Sequence, residues 1–338
     1  MRPDTVRNAQ LITLSTFLKP VLRLSADEFP KIAAQQFGVQ DDIDRVWQDF
    51  APVANTLVDS FWTTVDHPDF DTLGPMLNGA DNDVRGVAYE GVGMGLSLLD
   101  CMLPHKKRLA GLLNGPGGAH KPLLYIGAGL ALPRMPVNPL RVMSRYEDNE
   151  RWLILDGYGF YHGFFTPERS LQRQVRPRRI TGYAARMFDC GLGRSLWFTS
   201  AANTQRVADI VGRFPVHRRG DLWSGVGLAC AYAAAVADEA ALTRLVIAAG
   251  PDADQFAVGV AVAADFRQIG GNPSDHTDLA CTISWGEDSA TVAEIAATER
   301  AAGSSQGASA ASYEEWRQSL RAAWTARHPH TITARADR

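Results

Sequence analysis

The sequence predicts an all-α fold made of helical-hairpin repeats of about 34 residues, arranged as an α-solenoid or an α/α-type array. Short Gly-x-Gly motifs in apolar surroundings recur along the chain, and a more polar helical pattern, at 204–214 and again at 238–249, keeps the same interval. Strand signals are sparse. A fixed interval of this length is typical of helical-hairpin repeats. The motif glycines that follow one another at intervals of 34 residues are Gly157, Gly191, Gly225 and Gly259.

Two further copies of the motif, at 91–95 and 127–129, precede these glycines. Gly93 lies 34 residues before Gly127, whereas Gly127 and Gly157 are 30 residues apart. Glycine inside a helix costs about 1 kcal/mol relative to alanine, so its repeated use needs a reason. Either the missing Cβ lets two helix backbones touch, which we favour for most copies, or bare backbone leaves room for a ligand. A dinucleotide-binding loop is not indicated, because the further glycine, the preceding strand and the later acidic residue do not occur in the required order.

Residues 1–80 lie outside the repeats and are predicted to form an N-terminal helical cap. Within them, residues 41–66 carry apolar side chains at helical spacing, and His67–Pro68 ends the pattern. Because the end of a repeat array needs its apolar face covered, we interpret this helix as the cover of the first repeat. Its aromatic residues are interpreted as core. They are Trp47, Phe50, Phe61 and Trp62.

The array itself is predicted over residues 81–287, and C-terminal helices are predicted over 288–330. Residues 303–311 have the composition of a flexible linker. Directly after it, Ser312–Glu315 has the pattern of a capping box, which predicts the start of a last helix that runs to Arg327.

Composition and charge are those of an ordinary globular protein. The 338 residues carry a net charge of −3, with 46% hydrophobic and 21% charged residues, so binding of nucleic acid or of an anionic membrane is not indicated. The longest run of small apolar residues, 225–237, is too short to span a bilayer, and the N-terminus does not resemble a signal peptide. We therefore expect a cytoplasmic protein. The cysteines show neither zinc nor disulfide spacing and are predicted to be core residues: Cys101, Cys190, Cys230 and Cys281.

A basic segment at 166–180 contains five arginines. A solvated helix face or loop is the simpler interpretation of this segment. The alternative is a surface that binds an anionic carrier protein or a phosphate group.

No familiar catalytic motif is present in the sequence. The Gly-x-Ser-x-Gly nucleophile motif, paired histidine metal ligands and cofactor-binding motifs are all missing, so neither a cofactor nor a metal is expected. What remains is a set of carboxyl groups in or beside the apolar glycine-bearing segments. Burial raises the pKa of such a group and makes it a candidate proton donor. The candidate catalytic residues are Asp156, Glu90, Asp221 and Asp189.

Glu90 and Asp156 each precede the first glycine of a motif, although for Glu90 this requires Gly91 rather than Gly93 as the reference. The alternative to catalysis is structural pairing with an arginine. Asp221 has a further alternative as the cap of the helix that follows. The arginines considered for pairing are Arg85, Arg194 and Arg219.

Aromatic residues follow Asp156 closely and recur in the later copies. Aromatic walls around a buried acid suit a long unsaturated hydrocarbon, because ring faces stabilise developing positive charge and the acid can start or end a cyclisation. The alternative is that these side chains are ordinary core. The candidate substrate-binding residues are Tyr158, Tyr161, His162, Arg194, Trp197, Trp223 and Tyr232.

Five segments carry a further signal: Tyr89–Gly91, Leu99–Asp100, Leu155–Phe160, Gly191–Phe198 and Arg219–Leu228. Together they resemble a bacterial family of unknown function, whose members are often encoded beside enediyne-type polyketide synthases and other natural-product genes. The resemblance covers roughly residues 75–285. It implies a role in secondary-metabolite biosynthesis but supplies neither a reaction nor a catalytic residue.

Two functions therefore remain open. The first is a cofactor-independent cyclase, isomerase or lyase acting on an apolar polyene, polyketide or isoprenoid intermediate, which requires an enclosed aromatic cavity with Glu90 or Asp156 in its wall. The second is a helical-repeat scaffold that binds a polyketide synthase or carrier protein. It requires an open groove lined by polar and basic side chains, including those of residues 169–179.

Overall fold

The computed structural model describes residues 13–22, 24–37, 43–233, 238–303 and 310–329. Over these residues the chain forms α-helices and no strand, which confirms the all-α prediction. The helices are α1 (Leu14–Leu22), α2 (Glu28–Phe37), α3 (Ile43–Asp66), α4 (Phe70–Gly79), α5 (Asn82–Met102), α6 (Arg108–Leu113), α7 (Lys121–Ala131), α8 (Pro139–Met143), α9 (Leu153–Phe165), α10 (Tyr183–Thr199), α11 (Thr204–Gly212), α12 (Val216–Tyr232), α13 (Glu239–Ala249), α14 (Ala253–Ile269), α15 (Asp275–Trp285), α16 (Ser289–Gly303) and α17 (Ala310–Arg327).

Local sequence signals account for several helix ends. Helix α3 ends at Asp66, directly before His67–Pro68, as the sequence predicts. The Asn203 side chain accepts a hydrogen bond of 2.9 Å from the backbone N–H of Arg206 and begins α11. The Asp238 side chain caps α13 in the same way, through the N–H of Ala241. Such caps satisfy backbone donors that have no partner inside the helix.

The motif glycines lie in six helices, α5, α7, α9, α10, α12 and α14, and they bring neighbouring backbones into direct contact. A Cβ added to Gly157 would lie 1.9 Å from the carbonyl oxygen of Ile126, and one added to Gly191 would lie 1.9 Å from that of Asp156. Gly225 and Gly259 make the equivalent contacts with the preceding glycine-bearing helices, at the carbonyl oxygens of Cys190 and Ser224. Because no side chain fits in such a gap, the glycines serve close helix packing and do not line a ligand site.

The first copy of the motif corrects the register inferred from the sequence. A Cβ on Gly127 would lie 1.8 Å from the carbonyl oxygen of Glu90, just as one on Gly157 would meet Ile126. Gly91, not Gly93, is therefore the structural equivalent of the later first glycines, and the interval of 34 residues between Gly93 and Gly127 was misleading. Glu90 consequently occupies the same position in α5 that Asp156 occupies in α9.

The helices between the glycine-bearing ones vary. Helices α11, α13 and α15 alternate with α10, α12 and α14, whereas α6 and α8 are short. Between α9 and α10 there is no α-helix, only the π-helical turn Glu168–Gln172 and irregular chain. The alternation of long and short helices is thus regular only in the C-terminal half.

The last glycine-bearing helix, α14, contacts the first one, α5. The Arg267 guanidinium, near the end of α14, donates hydrogen bonds of 3.1 Å and 3.2 Å to the carbonyl oxygens of Asn82 and Asp83 at the start of α5. Helix α3 packs against α5, where Gly91 lies against the backbone of Leu57. These contacts enclose one continuous apolar core that extends from residue 24 to residue 324.

The C-terminal helices cover part of this core. The indole N–H of Trp316 donates to the carbonyl of Ala296, and that of Trp324 to the carbonyl of Ser284. Helix α17 begins at Ala310, so the predicted start at Ser312 is two residues late. Most of the predicted linker, residues 304–309, lies outside the described residues.

One stretch, Glu239–Ile269, is long and apolar enough to cross a membrane by length and composition, and 61% of its most apolar window is buried inside the protein. Gly250, with a φ of +52°, and Pro251 interrupt it between α13 and α14. A single, mostly buried stretch of this kind is consistent with the core of a soluble protein.

Candidate functional site

A cavity of about 70 Å³ lies among the glycine-bearing helices. By the usual minimum of about 10–15 Å³ for one water molecule, it is several times larger than a single hydration site. All six glycine-bearing helices and α3 contribute to its wall, which is apolar apart from two charged side chains and one tyrosine. The lining residues are Leu24, Phe29, Trp47, Phe50, Val53, Ala54, Leu57, Val87, Glu90, Met94, Leu123, Ile126, Leu130, Phe160, Phe164, Phe165, Arg194, Phe198, Leu228, Ala229, Tyr232, Ala233 and Phe266.

The charged part of the wall is a cluster of two carboxyls around Arg194. Its Nε donates a hydrogen bond of 2.8 Å to Oδ1 of Asp156, and its Nη1 lies 3.4 Å from Oε1 of Glu90. All three residues are buried, and the guanidinium carbon lies 4.4 Å from the ring centroid of Phe160. Glu90 and Arg194 line the cavity. Asp156 pairs with Arg194 but does not itself line the cavity.

Arginine pairing was the structural alternative for these acids, and Arg194 is the residue that provides it. The other two candidates are engaged elsewhere. Arg85 donates to the carbonyl of Ala80, and Arg219 donates to the carbonyls of Phe214 and Gly212.

One guanidinium shared by two buried carboxyls leaves one acid without full compensation. Burial raises the pKa of Glu90 above its ordinary value, Arg194 opposes the shift, and the charge of Asp156 adds to it. Burial also raises the pKa of Asp156, again opposed by Arg194. Because Asp156 has the shorter contact with the guanidinium, Glu90 is the less fully compensated of the two acids. It lies in the wall of an apolar cavity, where burial favours the protonated form of a carboxyl.

The other two candidate acids lie away from the cavity. Asp189 is fully buried between Arg176 and Arg218, with N–O distances down to 2.6 Å to each. Its pairing with Arg176 also shows that the basic segment is not simply a solvated surface.

Asp221 pairs with Arg186 at 3.1 Å and lies 3.6 Å from Arg317 of α17. It stands inside α12, so the alternative role as a helix cap is wrong. Both Asp189 and Asp221 therefore connect segments of the fold through ion pairs.

Among the predicted substrate-binding residues, Arg194 and Tyr232 line the cavity. The Tyr232 side chain is buried, and the Arg267 guanidinium carbon lies 4.4 Å from its ring centroid. The remaining candidates pack elsewhere. They are Tyr158, Tyr161, His162, Trp197 and Trp223.

Among these candidates, His162 is the one whose side chain ordinarily titrates near neutral pH. Its Nδ1 lies 3.1 Å from the hydroxyl of Thr166. Burial lowers its pKa to about 4, and Arg169 contributes to the shift, so the ring is neutral at physiological pH. It is a packed side chain of α9 outside the cavity wall.

Aromatic residues that follow Asp156 in α9, and Phe198 of α10, do line the cavity. The aromatic side chains that were not predicted to line it come mainly from the N-terminal region, and they include Phe29, Trp47 and Phe50. The spacing of Trp47 and Phe50 on one face of α3 was visible in the sequence. That pattern marks a buried face, but it does not say that the face meets the helices that carry Glu90 and Arg194.

An open polar groove lies on another part of the surface, between the turn after α9 and helix α11. It is the feature closest to the groove that a scaffold requires, although the basic segment contributes uncharged side chains to it. Its lining residues are Pro167, Leu171, Gln172, Gln174, Asn203, Gln205, Arg206, Asp209, Ile210 and Arg213.

Potential metal ligands are dispersed. Within the described ranges, no three His, Cys, Asp or Glu side chains come together as a metal-binding group. Cys190, Cys230 and Cys281 are buried core residues as predicted, whereas Cys101 is only partly buried.

Most of the chain matches a known protein family. Residues 18–324 match a family described as "Protein of unknown function (DUF1702)", which covers most of the chain. No curated protein and no solved structure matches the chain. The family description states no activity, so a functional assignment depends on the geometry of the cavity.

Proposed function

The chain belongs to the DUF1702 family of proteins of unknown function, and we propose that it is a cofactor-independent cyclase or isomerase of natural-product biosynthesis. In this proposal the cavity binds an apolar polyene, polyketide or isoprenoid intermediate, and Glu90 transfers the proton. The observation that carries the proposal is the placement of Glu90, a buried acid with a raised pKa, in a wall formed otherwise by aliphatic and aromatic side chains.

The proposed reaction begins when Glu90 donates its proton to a carbon–carbon double bond of the substrate. The resulting carbocation is stabilised by aromatic faces of the wall, such as those of Phe160 and Phe198. The Glu90 carboxylate is stabilised by Arg194, whose Nη1 is already 3.4 Å away. Removal of a proton from another carbon by the same carboxylate restores the enzyme and gives a cyclised or isomerised product.

The fold provides the enclosure that this chemistry needs. We interpret the six glycine-bearing helices as copies of one unit of about 34 residues, arranged as an α/α-type array around the cavity. Water would quench a carbocation, and an apolar interior excludes it. We place the protein in the cytoplasm, beside polyketide or isoprenoid biosynthetic enzymes of an enediyne-type or related gene cluster.

The second candidate function is a scaffold that binds a synthase or carrier protein without catalysis. The polar groove between residues 167–174 and 203–213 favours it, because such a surface can bind a polar partner. Under this alternative the cavity is a packing defect and Glu90 has no chemical role.

Replacing Glu90 by Gln is expected to abolish product formation while changing the free energy of unfolding by less than about 1 kcal/mol. The amide has the size of the neutral acid but cannot transfer its proton. Glu168→Gln is the matched control, because Glu168 is exposed and pairs with Arg173 on the surface. Infrared spectroscopy should show a protonated carboxyl band at neutral pH in the wild type that the Gln variant lacks. Full activity of the variant would overturn the assignment of Glu90.

The dependence of stability on pH tests the same residue without a substrate. Above pH 4.5, the ordinary value for Glu90, the folded protein retains a proton that the unfolded chain has lost, because burial raises the pKa. This residue's contribution to stability therefore falls as pH rises from 4.5 towards the raised pKa. We expect urea unfolding to show Glu90→Gln gaining stability relative to the wild type over that range. A constant difference between the two proteins would indicate an ordinary pKa.

Metabolite profiling of a strain that lacks the gene separates the two candidate functions. Accumulation of an uncyclised intermediate supports catalysis, and a lower yield of an unchanged product supports the scaffold. The strain is then complemented with Glu90→Gln. A scaffold predicts full restoration by this variant, whereas an enzyme predicts none.

A further inference from the structure

A second depression, lined by residues of α2, α3 and α9 among others, adjoins the cavity. Leu24, Phe29 and Phe165 line both the cavity and this surface groove, so the two spaces share part of their wall. The groove also contains Lys19 and Arg134. We interpret this groove as the mouth of the cavity, the place where a ligand enters.

Arg134 is the unusual residue of this mouth. Its guanidinium carbon lies 4.7 Å from the ring centroid of Tyr161 and 4.7 Å from that of Phe165. Its Nη1 is completely buried without a hydrogen-bond partner, and no carboxylate of the described part of the chain lies within ion-pair distance. The side chain is thus held by two rings and keeps hydrogen-bonding capacity unused.

The charges around the groove favour an anion. Lys19 lies 5.4 Å from the ring of Trp62, and it adds a second positive charge. Glu28, the carboxylate among the groove residues, is already paired with Lys31 at 2.7 Å. Burial lowers the pKa of Arg134, yet a guanidinium remains charged at any physiological pH. An incoming anion would compensate a charge that the protein leaves unbalanced.

We propose that Arg134 binds the anionic head group, a carboxylate or a phosphate, of a ligand whose apolar chain occupies the cavity. This inference rests on the proposed function, which places an apolar ligand there. The planar guanidinium offers paired N–H donors that match both head groups. The substrate would then be an amphipathic chain that enters tail first, with its head retained at the mouth and its double bonds beside Glu90.

Binding of cis-parinaric acid, a fluorescent polyene carboxylate, and of its methyl ester tests this inference. We expect the wild type to bind the acid about ten- to a hundredfold more tightly than the ester, as for a hydrogen bond to a charged group. Arg134→Gln should reduce the affinity for the acid to that for the ester and leave ester binding unchanged. Arg134→Lys, which keeps the charge but not the paired donors, should be intermediate. Arg179→Gln, which removes an exposed charge elsewhere, should have no effect.

Competition against the bound probe identifies the head group. Dodecanoate, dodecyl phosphate and dodecanol share one chain length and differ only in the head. A carboxylate site predicts the strongest displacement by dodecanoate, a phosphate site predicts it by dodecyl phosphate, and either result supports the inference. Equal displacement by all three overturns it.

The other outcomes separate the two proposals. If the acid and the ester bind the wild type equally, or if Arg134→Gln leaves the preference for the acid intact, the head-group site is wrong and the cavity proposal stands. If neither probe binds, the proposed function fails and the head-group site with it. Ala229→Phe places a bulky side chain in the cavity and should weaken binding of the acid and of the ester alike. That result would show that the apolar chain of the ligand occupies the cavity.

Discussion

Replacing Arg194 by Met is expected to lower the free energy of unfolding by about 3–5 kcal/mol, the usual result of removing one partner from a buried ion pair. The variant would leave Asp156, at 1% exposure, and Glu90, at 7%, without a cation. Both acids can respond by taking up protons, so the loss should be smallest at acid pH and should grow towards neutral pH. Urea unfolding at several pH values measures it.

A matched control and a rescue distinguish charge from packing. Arg173→Met removes an exposed arginine that pairs with Glu168, and the expected loss there is below about 1 kcal/mol. Combining Arg194→Met with Asp156→Leu and Glu90→Gln also removes the two carboxyls that would be left without a cation. This combination should recover most of the stability if the loss is electrostatic. A single Arg194→Met variant as stable as the wild type would mean that the cluster is not an ion pair.

Replacing Gly191 by Ala is expected to destabilise the protein by about 3 kcal/mol or more, at the upper end of the usual overpacking cost. The new Cβ would lie 1.9 Å from the carbonyl oxygen of Asp156 and 2.7 Å from the backbone nitrogen of Phe160. Both are backbone atoms of α9, so no side-chain rotation can relieve the contact. The two helices would have to separate, which would also disturb the pairing of Asp156 with Arg194.

Gly111→Ala is the matched control for this substitution. Gly111 lies inside the short helix α6, and a Cβ added there meets no atom within 4 Å. Alanine should stabilise the protein at this position by about 0.5–1 kcal/mol, through its higher helix propensity and a less flexible unfolded chain. Urea unfolding of both variants tests the pair. Equal effects at Gly191 and Gly111 would contradict the assignment of the motif glycines to backbone contact.

The helical nature of the chain and the reason for its glycines could be predicted from local signals. An apolar period and a closing Pro defined α3, and the recurrence of paired glycines pointed to backbone contact. The register of the first copy could not be predicted, because Gly91, Gly93 and Gly95 offer three possible references. Only the contact of Gly127 with Glu90 selects Gly91.

Only part of the candidate site could be predicted from the sequence. Glu90, Arg194 and Tyr232 could be selected from residue type and position, and they do line the cavity. Asp189 and Asp221 also lie close to the glycine motifs, but they pair with arginines that lie away from the cavity. Asp221, for example, meets Arg317 across 96 residues (317 − 221). Sequence patterns report the face on which a residue lies, whereas its partner depends on tertiary contacts.

The backbone contacts of the glycines have a consequence for how this protein could change its ligand. Where carbonyl oxygens set the separation of two helices, as at Gly225 and Gly259, that separation does not depend on the size of nearby side chains. Wall residues such as Phe160, Leu228 and Phe266 can therefore be exchanged without shifting the frame that holds them. A protein of this design is suited to diversification, because one scaffold can host differently shaped interiors while its acid stays in place.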